Sequence, residues 1–265
     1  MIKIIVTIAL AFFGVAASTE GSLNEADVVM LGDSITWLGN DDCNGEKGWT
    51  SYWKTMIEPK SCRSYARSGA TWSNTSATRK NTQENVGRIS NDNTVYNQVM
   101  RLKEAIASGQ QPQPELIMIA AGTNDLWFPK SRPDALTGSV EKAWSESAAD
   151  VLAKGPSAAT SIAQSVRLVM AELAETCPAA KVIILTPLQC TKINGEKMEA
   201  GSRLIEESAR KAGAMVIRQD RETPLDSISE RRQLNLTYDG VHTSKAGAKA
   251  IGEALARRTI ELLGQ

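Results

Sequence analysis

Leu116-Ile-Met-Ile-Ala-Ala121, running straight into Gly122-Thr-Asn-Asp125, is the stretch that decides the fold. An uninterrupted apolar run of strand length that stops at a glycine reads as a β-strand buried on both faces. Working outward, the same pattern recurs in Asp27-Val-Val-Met-Leu-Gly32 and in Lys181–Thr186, and more weakly in Arg63–Ser68 and Ala214–Ile217. Helical stripes lie between these runs. Trp49–Ile57 is stopped by Pro59, and Thr94–Ser108 places Val95, Val99, Leu102 and Ile106 on one face. Thr160–Glu175 is a third helix, and Met198–Lys211 a fourth with Gly213 just past its end. Ser244–Leu263 is the last, with Ser244 placed to cap it. Residues 69–93 read as loop, and 126–156 as a polar stretch holding a short helix near Val140–Leu152. Strands alternating with helices predict one parallel sheet covered on both faces, in a single domain spanning 18–265.

Composition narrows the partners. The chain has 265 residues, 42% hydrophobic and 23% charged, with thirty basic and thirty acidic side chains. A formal charge of zero gives no long-range field toward nucleic acid or anionic lipid, so a small or neutral partner is expected. At the N-terminus, Lys3 precedes an apolar run from Ile4 to Gly14, and Val15-Ala-Ala17 offers small residues for cleavage. This three-part pattern predicts a secretory signal over residues 1–17, hence an exported protein, periplasmic or secreted. The run is shorter than the roughly 20 residues needed to span a bilayer, so no stable membrane insertion is expected. Cys43, Cys62, Cys177 and Cys190 include no CxxC pair, which argues against a zinc ribbon or a thioredoxin-type site. With Cys62 and Cys177 before strands and the other two after them, a disulfide, if one forms, is expected between Cys43 and Cys190.

In open parallel sheets, ligands collect beyond the carboxyl ends of the strands. The groups that fall on that rim are Ser34 after the first strand, Gly69 after the second, and Gly122-Thr-Asn124-Asp125 after the third. Asp239-Gly-Val-His242 precedes the last helix and contains the chain's single histidine. A serine hydroxyl becomes a useful nucleophile when a neighbouring imidazole takes its proton, and the imidazole needs a partner to fix its tautomer. If such chemistry exists here, His242 is its base and Asp239, three residues earlier, its partner; D-x-x-H alone is more often a capping Asp and a surface His. The Ser34 and Gly69 amides and the Asn124 carboxamide would suit a developing oxyanion. Trp37, Trp72 and Trp127 stand within a few residues of these blocks, where indole faces would suit a sugar ring or an acyl chain, with loop packing as the plain alternative.

Taken in order, Gly32-Asp33-Ser34, Gly69, Gly122-Thr-Asn124-Asp125 and Asp239-Gly-Val-His242 make the chain resemble the SGNH hydrolases, also called the GDSL esterase/lipase family. The resemblance implies a flavodoxin-like three-layer α/β/α domain with five parallel strands in the order 2-1-3-4-5. It implies Ser34 as nucleophile, His242 as base, Asp239 as orienter, and an oxyanion hole of Ser34, Gly69 and Asn124, with no metal and no organic cofactor. Ile35 stands where the family name has leucine, and Ser68 replaces the asparagine that often precedes the second-block glycine. The expected reaction is hydrolysis of a small acyl ester, acetyl before longer chains, with a small-molecule or glycan ester as substrate. The rival readings are a thioesterase or lysophospholipase with the same triad, and a non-catalytic glycan-binding module.

Overall fold

Alternating side chains of the apolar runs bury themselves on opposite faces of one sheet. The computed structural model describes residues 22–84 and 88–264, so the signal-sequence expectation for residues 1–17 lies outside the described residues. The strands are β1 (Asp27–Gly32), β2 (Ser61–Ser64), β3 (Leu116–Ala120), β4 (Lys181–Leu185) and β5 (Met215–Ile217). The α-helices are α1 (Ser34–Trp37), α2 (Trp49–Ile57), α3 (Val95–Ala107), α4 (Thr123–Trp127), α5 (Val140–Ala143), α6 (Ala148–Lys154), α7 (Ile162–Thr176), α8 (Gly195–Lys211), α9 (Gln219–Glu222), α10 (Ser227–Arg232) and α11 (Lys245–Leu263). All strand pairs are parallel, in the order β2-β1-β3-β4-β5. This is the α/β sheet that the four blocks imply.

Val28, Met30, Met118, Ile183 and Leu185 face one layer, where Trp49 and Trp53 of α2 meet Ile251 and Leu255 of α11. Val29, Leu31, Ile117, Ile119 and Ile184 face the other layer, packed against α3, α7 and α8. The period of two in a strand therefore divides one run between two cores. Among the described residues, no helix is long and apolar enough to cross a membrane.

Two local expectations shift. The second strand is Ser61–Ser64 rather than Arg63–Ser68. Past Ser64 the chain still follows β1, with the Tyr65 and Arg67 N–H groups donating to the Met30 and Gly32 carbonyls at 2.9 and 3.1 Å. The buried Arg67 guanidinium then turns this segment toward Asp41 and Glu84, which ends the regular ladder. The single short helix near Val140–Leu152 is two, α5 and α6, capped by Ser139 and Ser147 respectively.

Helix α11 follows His242 closely, so its seat sets where that ring lies. Ser244 caps it through the Gly247 N–H at 3.1 Å, and the Trp53 indole donates to Thr259 Oγ1 at 3.0 Å. Gly252 lies against α2, where an added Cβ would come 2.4 Å from the Trp49 carbonyl oxygen. Helix propensity alone would make Gly252→Ala stabilising by about 1 kcal/mol. Overpacking against backbone costs about 1–3 kcal/mol and should win. The expected result is a lower urea midpoint at unchanged m-value; a midpoint equal to or above wild type would show that the two helices separate without cost.

Candidate active site

The carboxyl end of β1 delivers Ser34 to the rim under tight control. The Gln98 side chain of α3 brackets Gly32, accepting from its N–H at 2.8 Å and donating to its carbonyl at 2.7 Å. Asp33 caps α1 by accepting from the Ile35 N–H at 3.1 Å, and Ser34 is the first residue of that helix, only 8% exposed.

From the far end of the chain, the turn at Asp239 brings His242 to the same place. One Asp239 oxygen accepts from the Val241 and His242 backbone N–H groups at 2.9 and 2.7 Å, a local turn of the kind aspartate favours. The other oxygen lies 2.7 Å from His242 Nδ1, and His242 Nε2 lies 2.9 Å from Ser34 Oγ. The three residues thus form one unbroken line of contacts. Burial alone would raise the Asp239 carboxyl, but its bonds to the His242 ring, the His242 N–H and the Val241 N–H hold it below its ordinary range. The Tyr238 ring stacks on the imidazole with centroids 5.8 Å apart and planes 15° apart, and Lys47 Nζ sits 5.2 Å from the Tyr238 centroid. Next to His242, the Thr243 hydroxyl donates to the Lys47 carbonyl.

The second and third blocks meet on the same rim. Gly69 has φ +81°, and an added Cβ would lie 2.4 Å from the Arg88 carbonyl carbon, so only glycine fits. The Asn124 amide donates to the Ala70 carbonyl at 2.9 Å, which uses one of its two N–H bonds and leaves the second. Among the described residues, the backbone N–H groups of Ser34 and Gly69 have no partner. The asparagine missing before Gly69 has a replacement from elsewhere: Asn93 Nδ2 donates to the Ser68 and Arg88 carbonyls at 2.7 and 2.9 Å.

Sequence reasoning missed the carboxylate that fastens these blocks together. Asp125 is buried and accepts from the Trp72 N–H at 2.9 Å, the Ser73 N–H at 2.8 Å and the Ser73 hydroxyl. Arg132, also buried, spans the same loop through Thr71 Oγ1 and the Ser73 and Ser90 carbonyls. The signal in hand was Asp125 itself, an acid within an otherwise neutral motif block.

The three tryptophans separate. Trp37 and Trp127 are half-buried near the rim. Trp72 is fully buried, with its indole N–H donating to the Ala121 carbonyl at 3.1 Å, so it has no surface to offer a substrate. The pull of Asp125 on the Trp72 N–H turns that residue inward. The expected pairing of Cys43 with Cys190 also fails. All four cysteines are buried, and Cys43 neighbours Cys62, which lies within β2 rather than before it.

Directly behind Ser34, burial pushes the Asp33 carboxyl up to about 6 from an ordinary 3.8, against the lowering pull of the Ile35 N–H and the Thr123 hydroxyl. The folded chain keeps that proton to about pH 6, whereas the unfolded chain releases it near 3.8. Stability from this group is complete below the lower value and is lost as pH climbs through the upper one, by up to about 3 kcal/mol. Asp33→Asn keeps an oxygen for the Ile35 N–H and cannot ionise. Its urea midpoint should fall less than the wild-type midpoint between about pH 4 and pH 7. Equal falls in both proteins would remove Asp33 as the source.

The GDSL-like Lipase/Acylhydrolase family profile matches residues 28–255. No curated protein matches the chain. Solved structures share its fold at low identity. An acetyl xylan esterase is 16% identical with a TM-score of 0.54, over 88% of this chain and 100% of its own. A carbohydrate acetylesterase from Sinorhizobium meliloti is 18% identical with a TM-score of 0.51, over 90% and 100%. A protein from Lactobacillus plantarum is 14% identical with a TM-score of 0.60, over 89% and 96%. With four motif blocks gathered on one rim of a 2-1-3-4-5 sheet and a family match across nearly all the described residues, the chain belongs to the GDSL-like lipase/acylhydrolase family, the SGNH hydrolases, and is a carboxylic ester hydrolase.

Proposed function

We propose that the protein removes small acyl groups, acetyl foremost, from carbohydrate esters through an acyl-enzyme on Ser34. The observation that carries this reading is the contact line Asp239 Oδ2–Nδ1 His242 Nε2–Oγ Ser34, at 2.7 and 2.9 Å. His242 Nε2 takes the Ser34 proton as Oγ attacks the ester carbonyl, and Asp239 stabilises the imidazolium that results. The tetrahedral oxyanion is received by the Ser34 and Gly69 N–H groups and the spare Asn124 N–H. As the C–O bond breaks, the imidazolium hands its proton to the departing alkoxide. Water, deprotonated by the same nitrogen, then releases the acid and restores Ser34.

The substrate class rests on three supports. The exposed Tyr238 ring beside His242, with Trp37 and Trp127 nearby, offers aromatic surface of the kind that stacks on sugar rings. Zero net charge suits a neutral substrate. Two proteins of the same fold are an acetyl xylan esterase and a carbohydrate acetylesterase. Export to the periplasm or the medium, inferred from residues 1–17, would bring the enzyme to such polymers.

On p-nitrophenyl acetate, Ser34→Ala should lose roughly a thousandfold or more in kcat. Asn124→Ala should lose about a hundredfold, mainly in kcat, because its N–H serves the transition state. Hydrolysis by Ser34→Ala at the wild-type rate would refute the acyl-enzyme. Among acyl donors, kcat/KM should be highest for acetylated sugars and fall for octanoyl and longer esters. A preference for acyl-thioesters or lysophospholipids would replace the carbohydrate reading and leave the triad standing.

A further inference from the structure

The segment that leads from α1 to α2 folds back along the open edge of β2. The Ser64 N–H donates to the Asp41 carbonyl at 2.8 Å, and Lys54 Nζ of α2 grips the Asp42 carbonyl and Asn44 Oδ1 at 2.8 and 2.9 Å. Two residues beyond Asp41 on one chain, and two before Ser64 on the other, stand Cys43 and Cys62. That one backbone bond brings the turn that carries Cys43 beside the strand that carries Cys62. The Cys62 side chain neighbours that of Cys43, and both belong to the same apolar cluster, 8% and 0% exposed. Cys43 also holds a left-handed backbone with φ 59°, a conformation uncommon outside glycine, asparagine and aspartate.

We propose that Cys43 and Cys62 form a disulfide in the mature protein, a covalent staple that ties the segment flanking His242 to the edge of the sheet. The two thiols give up two protons and two electrons. A disulfide oxidant such as glutathione disulfide accepts them, its S–S bond being exchanged through a mixed disulfide and released as two thiols. Both sulfurs are buried, so an oxidant in solution has little access to them once the fold is complete. The bond therefore belongs to the folding chain. Its closure pins residues 38–48, which carry the Lys47 carbonyl that receives Thr243 and the Lys47 ammonium beside Tyr238. Cys177 lies in the other core, and neither it nor Cys190 has another cysteine among the groups acting on its thiol, so both stay thiols.

The test is to refold the denatured, reduced full chain in a buffer of reduced and oxidised glutathione. Tryptic mapping and a thiol count under denaturing conditions follow. Trypsin cuts after Lys47, Lys60 and Arg63, so Cys62 leaves on the tripeptide 61–63 and a bond to Cys43 is read directly. The expected outcome is that tripeptide joined to the peptide ending at Lys47, with a chain two hydrogens lighter than the reduced form. Reduction should lower Tm by roughly 5–10 °C. The Cys43→Ala/Cys62→Ala double variant should show no such response to dithiothreitol. Four free thiols after refolding, or a bond from Cys43 to Cys190, would overturn the proposal.

Discussion

The register between β1 and β3 governs everything on the rim. Gly32 stands opposite Ala120, the Asp33 N–H donates to the Ala120 carbonyl at 3.1 Å, and a Cβ on Gly32 would reach 2.3 Å from that same oxygen. The strands can approach this closely only with glycine at that level. Because they end together, Ser34 and Asn124 both follow closely on adjacent strand ends, each in a short helix. A slip of one residue would exchange the two faces of β1 and carry Ser34 away from the carboxamide.

Around that register the molecule spends stability on position. Asp33 and Asp125 are both fully buried carboxyls whose ionisation burial opposes, and each accepts hydrogen bonds from the first turn or loop it must hold still. Gln98, Asn93 and Arg132 do the same with neutral or positive groups, aimed almost wholly at backbone carbonyls and N–H groups. Loops at the rim have no ladder to satisfy their backbone groups, so side chains from other elements supply the partners.

The strands and long helices were legible because their cause is local: periodic apolar residues, a capping serine, a terminating glycine. The meeting of Ser34 with His242 was legible for a different reason, since each block carried its own turn chemistry and the strand-end rule brought them together. What stayed hidden depends on partners remote in sequence. Nothing near Trp72 says that a carboxylate at Asp125 will draw its N–H inward. Nothing near Ser68 says that Asn93 will supply the missing amide. The end of β2 was misplaced because beyond Ser64 the buried Arg67 turns to Asp41, and the cysteine pairing was misread with it, since the turn after Asp41 puts Cys43 beside Cys62.

The interval between Ser34 and His242, 208 positions, also orders events in time. During synthesis β1 and α2 emerge early, but the Trp49–Trp53 face waits for α11, and the imidazole is fixed only when that helix settles through Gly252 against α2. A partly made chain thus carries a serine with no base beside it. On the proposed mechanism, reactivity toward esters waits until the last helix docks, which joins completeness of the fold to the onset of chemistry.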